Sequence, residues 1–457
     1  MKRTLIIETL KKIGKKVLLK GWVNRIRQHG KVNFVDLRDR TGLVQLVGGP
    51  KLRDLNNEDV VEVVGKVIKR SKNTINPKIP TGTVEVKVEK IKVLAKAAEL
   101  PLPVRGDGYD IEEGVRLKYR YLDLRRPRLN DNIKIRSQFV QRCRKFLFSK
   151  DFVEIETPLL TKSTPEGSRD FVVPSRLQQG KFFALPQSPQ QYKQLLMAAG
   201  FERYFQIARC IRDEGLRANR VFEHTQIDIE MSFVKREDVM KIAEEMFTKV
   251  FESFGKKILQ KPFPVFTYQE AMKKYGADKF DLRNEKEKKE GVMAFAWVID
   301  FPFFEKEDSG DWTFTHNPFS EPIPKHKEWL KKKKNIGKIL TSQYDLVCNG
   351  EEVGGGSIRS HQAEVLSSVF EVMGYKKAEI KEKFGHMLEA FRYGAPPHGG
   401  IAPGIDRLVA VLTGEEALRE VIAFPQTSSG TTAVMDAPSK LEEKQLKELG
   451  IKIVKKK

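Results

Sequence analysis

The chain has 457 residues, of which 83 are Lys or Arg and 61 are Asp or Glu, giving a formal net charge of +22 at pH 7. That length accommodates two or three domains and a large core, and 40% hydrophobic against 32% charged residues is the balance of a globular protein in water. No apolar run is long enough to span a bilayer as a helix, and the start MKRTLIIETLKKIGKK has too short an apolar run, broken by Glu8, for a secretory signal. The expectation is a cytoplasmic protein with no membrane partner. Cys143, Cys210 and Cys348 lie far apart, match no metal-ligand spacing and are expected to be reduced and buried.

The charge is uneven. Residues 1–100 hold 23 Lys or Arg and 10 Asp or Glu, so this first fifth carries more than half of the excess. A basic domain of this kind suits a polyanionic partner. After a short amphipathic helix come five β-like runs: VLLKGWVNRIR, VNFVDLRD, GLVQLVG, DVVEVVGKVIKR and TVEVKVEKIKVL. Short strands with glycine-marked turns predict a small barrel over residues 1–100, and its basic side chains with Phe34 suit an OB-fold that stacks unpaired bases. A barrel with one outward aromatic is, taken alone, more often only a barrel.

Residues 101–130 are polar and carry Pro and Gly, so a hinge is expected there. Residues 131–457 then read as one large domain. Apolar residues at helical spacing predict a helix over Asn132–Lys150, and FVEIETPLL predicts a strand that stops at Pro158. The stretch 203–232, RYFQIARCIRDEGLRANRVFEHTQIDIEMS, contains two β-like runs around a charged loop. In the second, Ile227, Ile229 and Met231 alternate with Gln226, Asp228 and Glu230, so one face is apolar and the other polar. Arg212 and Glu214 share a parity, and the loop adds Arg217 and Arg220. Such a hairpin fits a polyanion such as a triphosphate, although arginines and carboxylates on a hairpin more often form a solvated face. The second informative stretch is GAPPHGGIAPGIDR (394–407). Its glycines permit close backbone approach, and Arg407 opens an apolar helix where a lone cation needs an anion.

RDEGLRANR and GAPPHGGIAPGIDR together resemble motifs 2 and 3 of class II aminoacyl-tRNA synthetases. With TPEGSRDF (164–171), LPQSPQQYKQLLM (185–197), YDLVCNGEEVGGGSIR (344–359) and FPQTSSG (424–430), the chain is similar to the bacterial-type aspartyl branch from Gly21 to about Ser439. The resemblance implies an α+β protein. An OB-fold anticodon-binding barrel precedes a catalytic domain built on an antiparallel sheet flanked by helices. The implied activity is ATP-dependent formation of aspartyl-adenylate and transfer of aspartate to the terminal ribose of an aspartate tRNA, with no protein nucleophile.

By residue-to-residue match, Arg212 holds the α-phosphate, Glu214 accepts from the adenine amino group, and Arg407 with Arg220 hold the γ-phosphate. Asp213, Gly404 and Asp406 fall in the same nucleotide motifs. Asp345 and Glu352 match carboxylates that carry Mg²⁺, and glycines 354–356 let backbone approach the nucleotide. Arg359 matches the grip on the substrate side-chain carboxylate, with Lys193 beside it. Asp228 and Gln190 fall near its ammonium, Glu166 and Ser188 line the same pocket, and His316 belongs to a gate over it. In the barrel, Phe34 matches the aromatic that stacks on the middle anticodon base, Arg27 and Gln45 hydrogen-bond that base, and Arg25 makes a further contact. His29 stands where enzymes restricted to aspartate tRNA typically have leucine. Histidine is frequent in non-discriminating enzymes, which also charge asparagine tRNA and rely on an amidotransferase. The helix–strand–proline unit after residue 131 resembles motif 1, which implies a homodimer.

Three departures stand out. His224 replaces the family's phenylalanine against adenine, so ATP binding is expected to be weaker or pH-sensitive. Asn317 follows His316 where two histidines are usual. Only a short segment, about 255–295, occupies the place of a large inserted domain, and the lysine-rich 325–338 reads as a solvated surface. The alternatives are an enzyme strictly specific for aspartate tRNA, an asparagine- or lysine-specific relative, an RNA-binding paralogue without catalysis, and an amino-acid ligase that uses no tRNA. Arg359 with Lys193 opposes lysine, the intact Arg212, Glu214 and Arg407 oppose lost catalysis, and the basic barrel opposes a tRNA-independent ligase.

Overall fold

The computed structural model describes residues 1–30, 32–163 and 166–454, so Thr164 and Pro165 of the TPEGSRDF motif lie outside the described residues. Two compact units are formed, Met1–Pro103 and Val104–Lys457.

In the first unit, strands β1 (Lys16–His29), β2 (Val32–Asp39), β3 (Gly42–Gly48), β4 (Val60–Lys69) and β5 (Val84–Ala95) close into a barrel in the order β1-β2-β3-β5-β4. All pairs are antiparallel except β3 with β5. The five runs expected from alternation are these strands to within two residues at either end. Alternation works because successive side chains leave a strand on opposite sides. Val17, Leu19, Val35, Leu37, Val44, Leu46, Val61, Val63, Val84 and Val86 fill the interior. The expected amphipathic segment is a 3₁₀ helix, Ile6–Lys11, which buries Ile6. Gly21 and Gly65 allow the strands to crowd: a Cβ at Gly21 would lie 2.2 Å from the Arg38 carbonyl oxygen.

The second unit contains β6 (Val153–Glu154), β7 (Val172–Pro174), β8 (Phe182–Ala184), β9 (Arg203–Ile211), β10 (Glu223–Ser232), β11 (Val265–Thr267), β12 (Phe295–Ile299), β13 (Phe304–Lys306), β14 (Trp312–Phe314), β15 (Gln343–Cys348), β16 (Glu351–Ile358) and β17 (His398–Pro403). Eight of them form one sheet, β11-β12-β15-β16-β17-β10-β9-β6, antiparallel except at its two edges, while β7-β8 and β13-β14 are small hairpins. The helices Pro127–Phe148, Arg236–Ser253 and Ile405–Thr413 cover one face. Ile227, Ile229 and Met231 of β10 pack into that core with Phe139, Phe247, Phe251, Leu408 and Val409. The parity read from β10 is therefore correct, and it commits Gln226, Asp228 and Glu230 to the other face. The long helix begins at Pro127, five residues before the expected start, because proline suits a first turn where its missing N–H is not needed. The strand expected over 152–160 is paired only at Val153–Glu154, with one more hydrogen bond from Ile155 to Phe205.

The stretch expected as a hinge contains helices Glu113–Lys118 and Arg120–Asp123. Asp123 is fully buried and accepts from Arg116 (3.1 Å), Arg120 (3.0 Å) and Arg126 (2.6 Å). Glu420 pairs with Arg116 at 2.7 Å and with Arg128 at 2.7 Å, and Arg120 also donates to the carbonyls of Arg419, Ile422 and Ala423. Polar composition here reflects a buried ionic hub, not a solvated linker. Removing one partner of a buried pair leaves charge uncompensated, at a cost of roughly 3–5 kcal/mol. Asp123→Ala should therefore destabilise the second unit by about that amount in urea unfolding. Asp131→Ala, at an exposed ion pair on the neighbouring helix, should shift the midpoint by less than ~0.5 kcal/mol.

Candidate active site

The polar face of the sheet is the floor of a cavity of about 640 Å³. Strand register runs Asp345–Gly355–Ala402 across three strands, and Gln343–Ser357–Gly400–Glu230–Tyr204 across five. Along β10, His224, Gln226, Asp228 and Glu230 follow one another on this face, a span of roughly 20 Å at about 3.4 Å per residue. The cavity is thus a trough with two chemically different ends.

At the Glu230 end four charges are buried together. Arg359 donates from Nε to Glu230 Oε1 (2.9 Å), from Nη2 to Oε2 (3.2 Å) and from Nη1 to Ser357 Oγ (2.7 Å). Lys193 Nζ is 2.7 Å from Asp228 and 3.2 Å from Glu230. Burial pushes both carboxyls up. For Glu230 the Arg359 and Lys193 charges outweigh burial and bring its pKa down to about 2, whereas burial prevails at Asp228, which stays above its ordinary value. Lys193 and Gln190 come from the helix Gln190–Ala198, where Gln190 Nε2 donates to Gln194. Ser188 donates to Glu166 (2.8 Å). Gln187 clamps the same loop through the Ser168 backbone and Asp170. Asp228 Oδ2, Gln226 Nε2 and Gln343 Oε1 are buried with no hydrogen-bond partner among the described residues, and all three residues line the trough. Unpaired buried polar atoms are costly, so this end is built for a small polar ligand.

The other end is cationic. Arg212 is held by the Gln187 carbonyl (3.2 Å), and Arg220 lies 3.3 Å from Glu214, which also accepts from Ser168. Arg407 donates to the Glu352 carbonyl (2.8 Å), and Lys279 pairs with the Glu352 carboxylate at 2.9 Å. Asp345 and Glu352 converge on Gly355, where a Cβ would lie 2.9 Å from Asp345 Oδ1 and 3.8 Å from Glu352 Oε1. Burial and then the Glu352 charge raise Asp345 well above the carboxylate range. Glu352 is lowered because Lys279 and Arg407 outweigh its burial. Two adjacent carboxylates in an open cradle fit a hard cation that takes its other ligands from phosphate and water. Among the described residues no cluster of three or more His, Cys, Asp or Glu could hold a metal. His316 stacks edge-on against Phe301, with Nδ1 4.0 Å from Asp345, and so lies on the carboxylate side of the trough.

Of the residues singled out in the sequence for this unit, all line the trough except Arg217 and Asp213, the latter facing Arg169 outside it. Asp406 lines it, but both oxygens are engaged, one by Arg136 and one by the Thr225 N–H at 2.8 Å, so it fixes the helix start against the sheet. Gly404 is hydrogen-bonded to the Val353 carbonyl at the same junction. Glu230, Ser357 and Lys279 were missed. Glu230 was visible as a polar-face position of β10, whereas Lys279 lay in a stretch read as a remnant.

In the barrel, register places Arg25, Asp36, Gln45 and Glu85 in one row and Arg27, Phe34 and Val47 in the next. Arg27 donates to Asp36 (2.7 Å) and Gln45 (3.2 Å), and Gln45 donates to Glu85 (2.8 Å). Phe34 is half-exposed on this outer surface, and Arg25 and His29 are exposed. Asp36 and Glu85, not singled out in the sequence, orient the two hydrogen-bonding side chains.

Burial first, then Arg212 and Arg407, lower the His224 pKa to about 3. A ring with so low a pKa is neutral throughout pH 5–8, so the pH sensitivity expected from this histidine falls outside that range. Nucleotide affinity measured by calorimetry should owe no change between pH 6 and 8 to this ring, and the pH profile of His224→Phe should run parallel to that of the wild type.

The comparisons with known proteins agree with this geometry. The family described as tRNA synthetases class II (D, K and N) matches residues 112–428, and the OB-fold nucleic acid binding domain matches residues 17–94. The Aspartate--tRNA(Asp/Asn) ligase of Phenylobacterium zucineum (strain HLK1) is 41% identical over 572 aligned positions, covering 96% of both chains. That of Dictyoglomus turgidum (strain DSM 6724 / Z-1310) is 41% identical, covering 97% of this chain and 96% of its own. An alignment of 572 positions against 457 residues contains at least 115 positions that are gaps in this chain. Among solved structures, asparaginyl-tRNA synthetase from Pyrococcus horikoshii complexed with asparaginyl-adenylate has a TM-score of 0.74 at 24% identity, covering 93% of this chain and 98% of its own. A putative aspartyl-tRNA synthetase from Leishmania major Friedlin has a TM-score of 0.75 at 22% identity, covering 93% of each. These two share the fold. With the family matched across most of the catalytic unit and relatives aligned over nearly their whole length, the chain belongs to the class II tRNA synthetases of the D, K and N group.

Proposed function

We propose that this protein is an aspartate–tRNA ligase that activates L-aspartate with ATP and transfers it to the terminal ribose of both aspartate and asparagine tRNAs. The observation that carries the choice of amino acid is the buried Lys193–Arg359 pair at one end of the trough. Four of the five Arg359 N–H donors are engaged, one of them only weakly, at 3.4 Å from the Gly400 carbonyl. A substrate side-chain carboxylate taken through Nη1 and Nη2 replaces that weak contact, and Lys193 adds a second positive charge. A neutral asparagine side chain supplies no such charge and leaves the site's donors poorly matched, which is a strong basis for rejection. The unpaired Asp228 Oδ2 and Gln226 Nε2, with Gln190, suit the ammonium and α-carboxylate of the same ligand. Glu166 and Ser188 close that side, and His316 covers the carboxylate side.

In the first step an α-carboxylate oxygen of aspartate attacks the α-phosphorus, the bond to the bridging oxygen breaks, and pyrophosphate leaves. Charge neutralisation and alignment dominate such a reaction. Arg212 faces the α-phosphate, Glu214 accepts from the adenine amino group, and His224 stacks on the ring. Arg220 and Arg407 hold the terminal phosphates. Mg²⁺, held by Asp345 and Glu352, would offset phosphate charge when bound. In the second step the ribose hydroxyl attacks the aspartyl carbonyl carbon and AMP departs.

The barrel reads the anticodon through Phe34, Arg27, Gln45 and Arg25. The Asp/Asn naming of the aligned relatives, with His29 exposed at the end of β1, supports acceptance of both tRNAs and hence a downstream amidotransferase. Exposed Phe148, Val153, Leu159 and Leu160 beside the edge strand support a homodimer, and a cytoplasmic location follows from the role. The gapped positions in the relatives' alignments support a missing inserted domain at about 255–295.

Arg212→Ala should abolish aspartate-dependent pyrophosphate exchange while leaving tRNA binding within about twofold of wild type, because the anticodon surface is elsewhere; near-normal exchange refutes the assignment. Unmodified aspartate and asparagine tRNA transcripts, assayed side by side, should both be charged. His29→Leu should depress charging of the asparagine tRNA by roughly tenfold or more, about 1.4 kcal/mol, with little effect on the aspartate tRNA.

A further inference from the structure

Lys279 has no role in any of the roles assigned above. It sits in the loop GADKFDLR after the helix Tyr268–Tyr275, in the short segment that stands in place of the larger insertion. That loop is fixed in place. Phe280 is buried, stacks on Tyr275 at 4.2 Å between ring centroids and meets Phe266 edge-on at 5.2 Å, while Asp281 and Arg283 form a bidentate pair behind it. The anchored loop delivers Lys279 to the trough wall, where it is part-exposed and 2.9 Å from Glu352 Oε2. The same carboxylate is 3.7 Å from Arg407, and its other oxygen faces Asp345 across Gly355.

Here Arg212 and Arg220 come from the β9–β10 loop, Arg407 from the helix after β17, and Lys279 from a fourth segment. The Lys193–Arg359 end is already neutralised by Asp228 and Glu230, so the surplus positive charge of the trough lies with these four groups, of which Arg220 faces Glu214 while Lys279 and Arg407 share Glu352. A compact, rotatable ammonium is suited to a phosphate oxygen as a point charge. A cation in the Asp345–Glu352 cradle would compete with Lys279 for the Glu352 carboxylate.

We propose that Lys279 is a phosphate-binding residue that rests on Glu352 in the empty site and moves to the β- and γ-phosphates of ATP. The inference rests on reading the trough as an ATP site. It makes the short 255–295 segment part of the nucleotide site and gives Glu352 a second task, storage of a cation that the triphosphate later uses.

Equilibrium binding of ATP by calorimetry tests this without relying on turnover. In Mg²⁺, Lys279→Ala should weaken ATP about tenfold, Lys279→Arg should recover most of the loss, and aspartate affinity should be unchanged in both. Without Mg²⁺, Glu352→Gln should bind ATP tighter than wild type, by about threefold, because Lys279 is released. That gain should vanish in the Glu352→Gln, Lys279→Ala double variant. Wild-type ATP affinity in Lys279→Ala, or a gain that survives in the double variant, overturns the proposal. Circular dichroism of each variant separates a binding loss from a folding loss. If wild type itself fails to bind ATP, the proposed function has failed, whereas a binding wild type with an unaffected Lys279→Ala refutes the Lys279 role alone.

Discussion

The buried quartet of Lys193, Arg359, Asp228 and Glu230 is the constraint on which the catalytic unit depends. Burying four ions is expensive, and the cost is offset only when each meets an opposite charge at short range. That requires β10, β16, β17 and the helix Gln190–Ala198 to be in register, because each contributes a member or a backbone contact. Gly400 belongs to the same requirement: a Cβ there would lie 2.2 Å from Glu230 Oε2 and 2.0 Å from the Ile229 carbonyl oxygen. The glycine is therefore demanded by the neighbouring strand's carbonyl together with the ion pair next to it, and not by any turn.

The quartet also divides the trough electrostatically. One end carries balanced charge and offers geometry, with three unpaired polar atoms and a guanidinium one donor short of saturation. The other carries surplus positive charge and offers potential. A small zwitterion with an acidic side chain suits the first, and a polyanion suits the second. The sheet joins them through the row Asp345–Gly355–Ala402, whose two small side chains keep the floor clear. Position along β10 thus tracks position along the trough, from its cationic end to its charge-balanced end.

Local pattern carried much of this information. The two-residue alternation of β10 identified which side chains face the core, and the five barrel strands were legible from valines and glycines alone. The cationic hairpin and the Arg407 helix start were also visible. What escaped were groups whose meaning depends on distant partners. Glu230 looks like any polar-face residue until Arg359, 129 positions later, is seen against it. Lys279 looks solvated until Glu352 is opposite it. Residues 101–130 looked like a hinge because a string of arginines is polar in sequence, and nothing in that string says that Asp123, Glu415 and Glu420 pair with them. His224 stood out in the sequence, but its neutrality comes from the desolvation and the two arginines around it.

The arginine hub has a consequence for biogenesis. Arg116, Arg120 and Arg128 take their partners from residues 415–423, some 300 positions downstream. During synthesis the barrel, whose contacts lie within its first hundred residues, can close early, as N-terminal domains generally do. Asp123 lies within the segment, but the remaining partners of these arginines arrive only when almost the whole chain has left the ribosome. The segment remains a hydrated basic stretch for most of translation, and its burial marks the completion of the second unit.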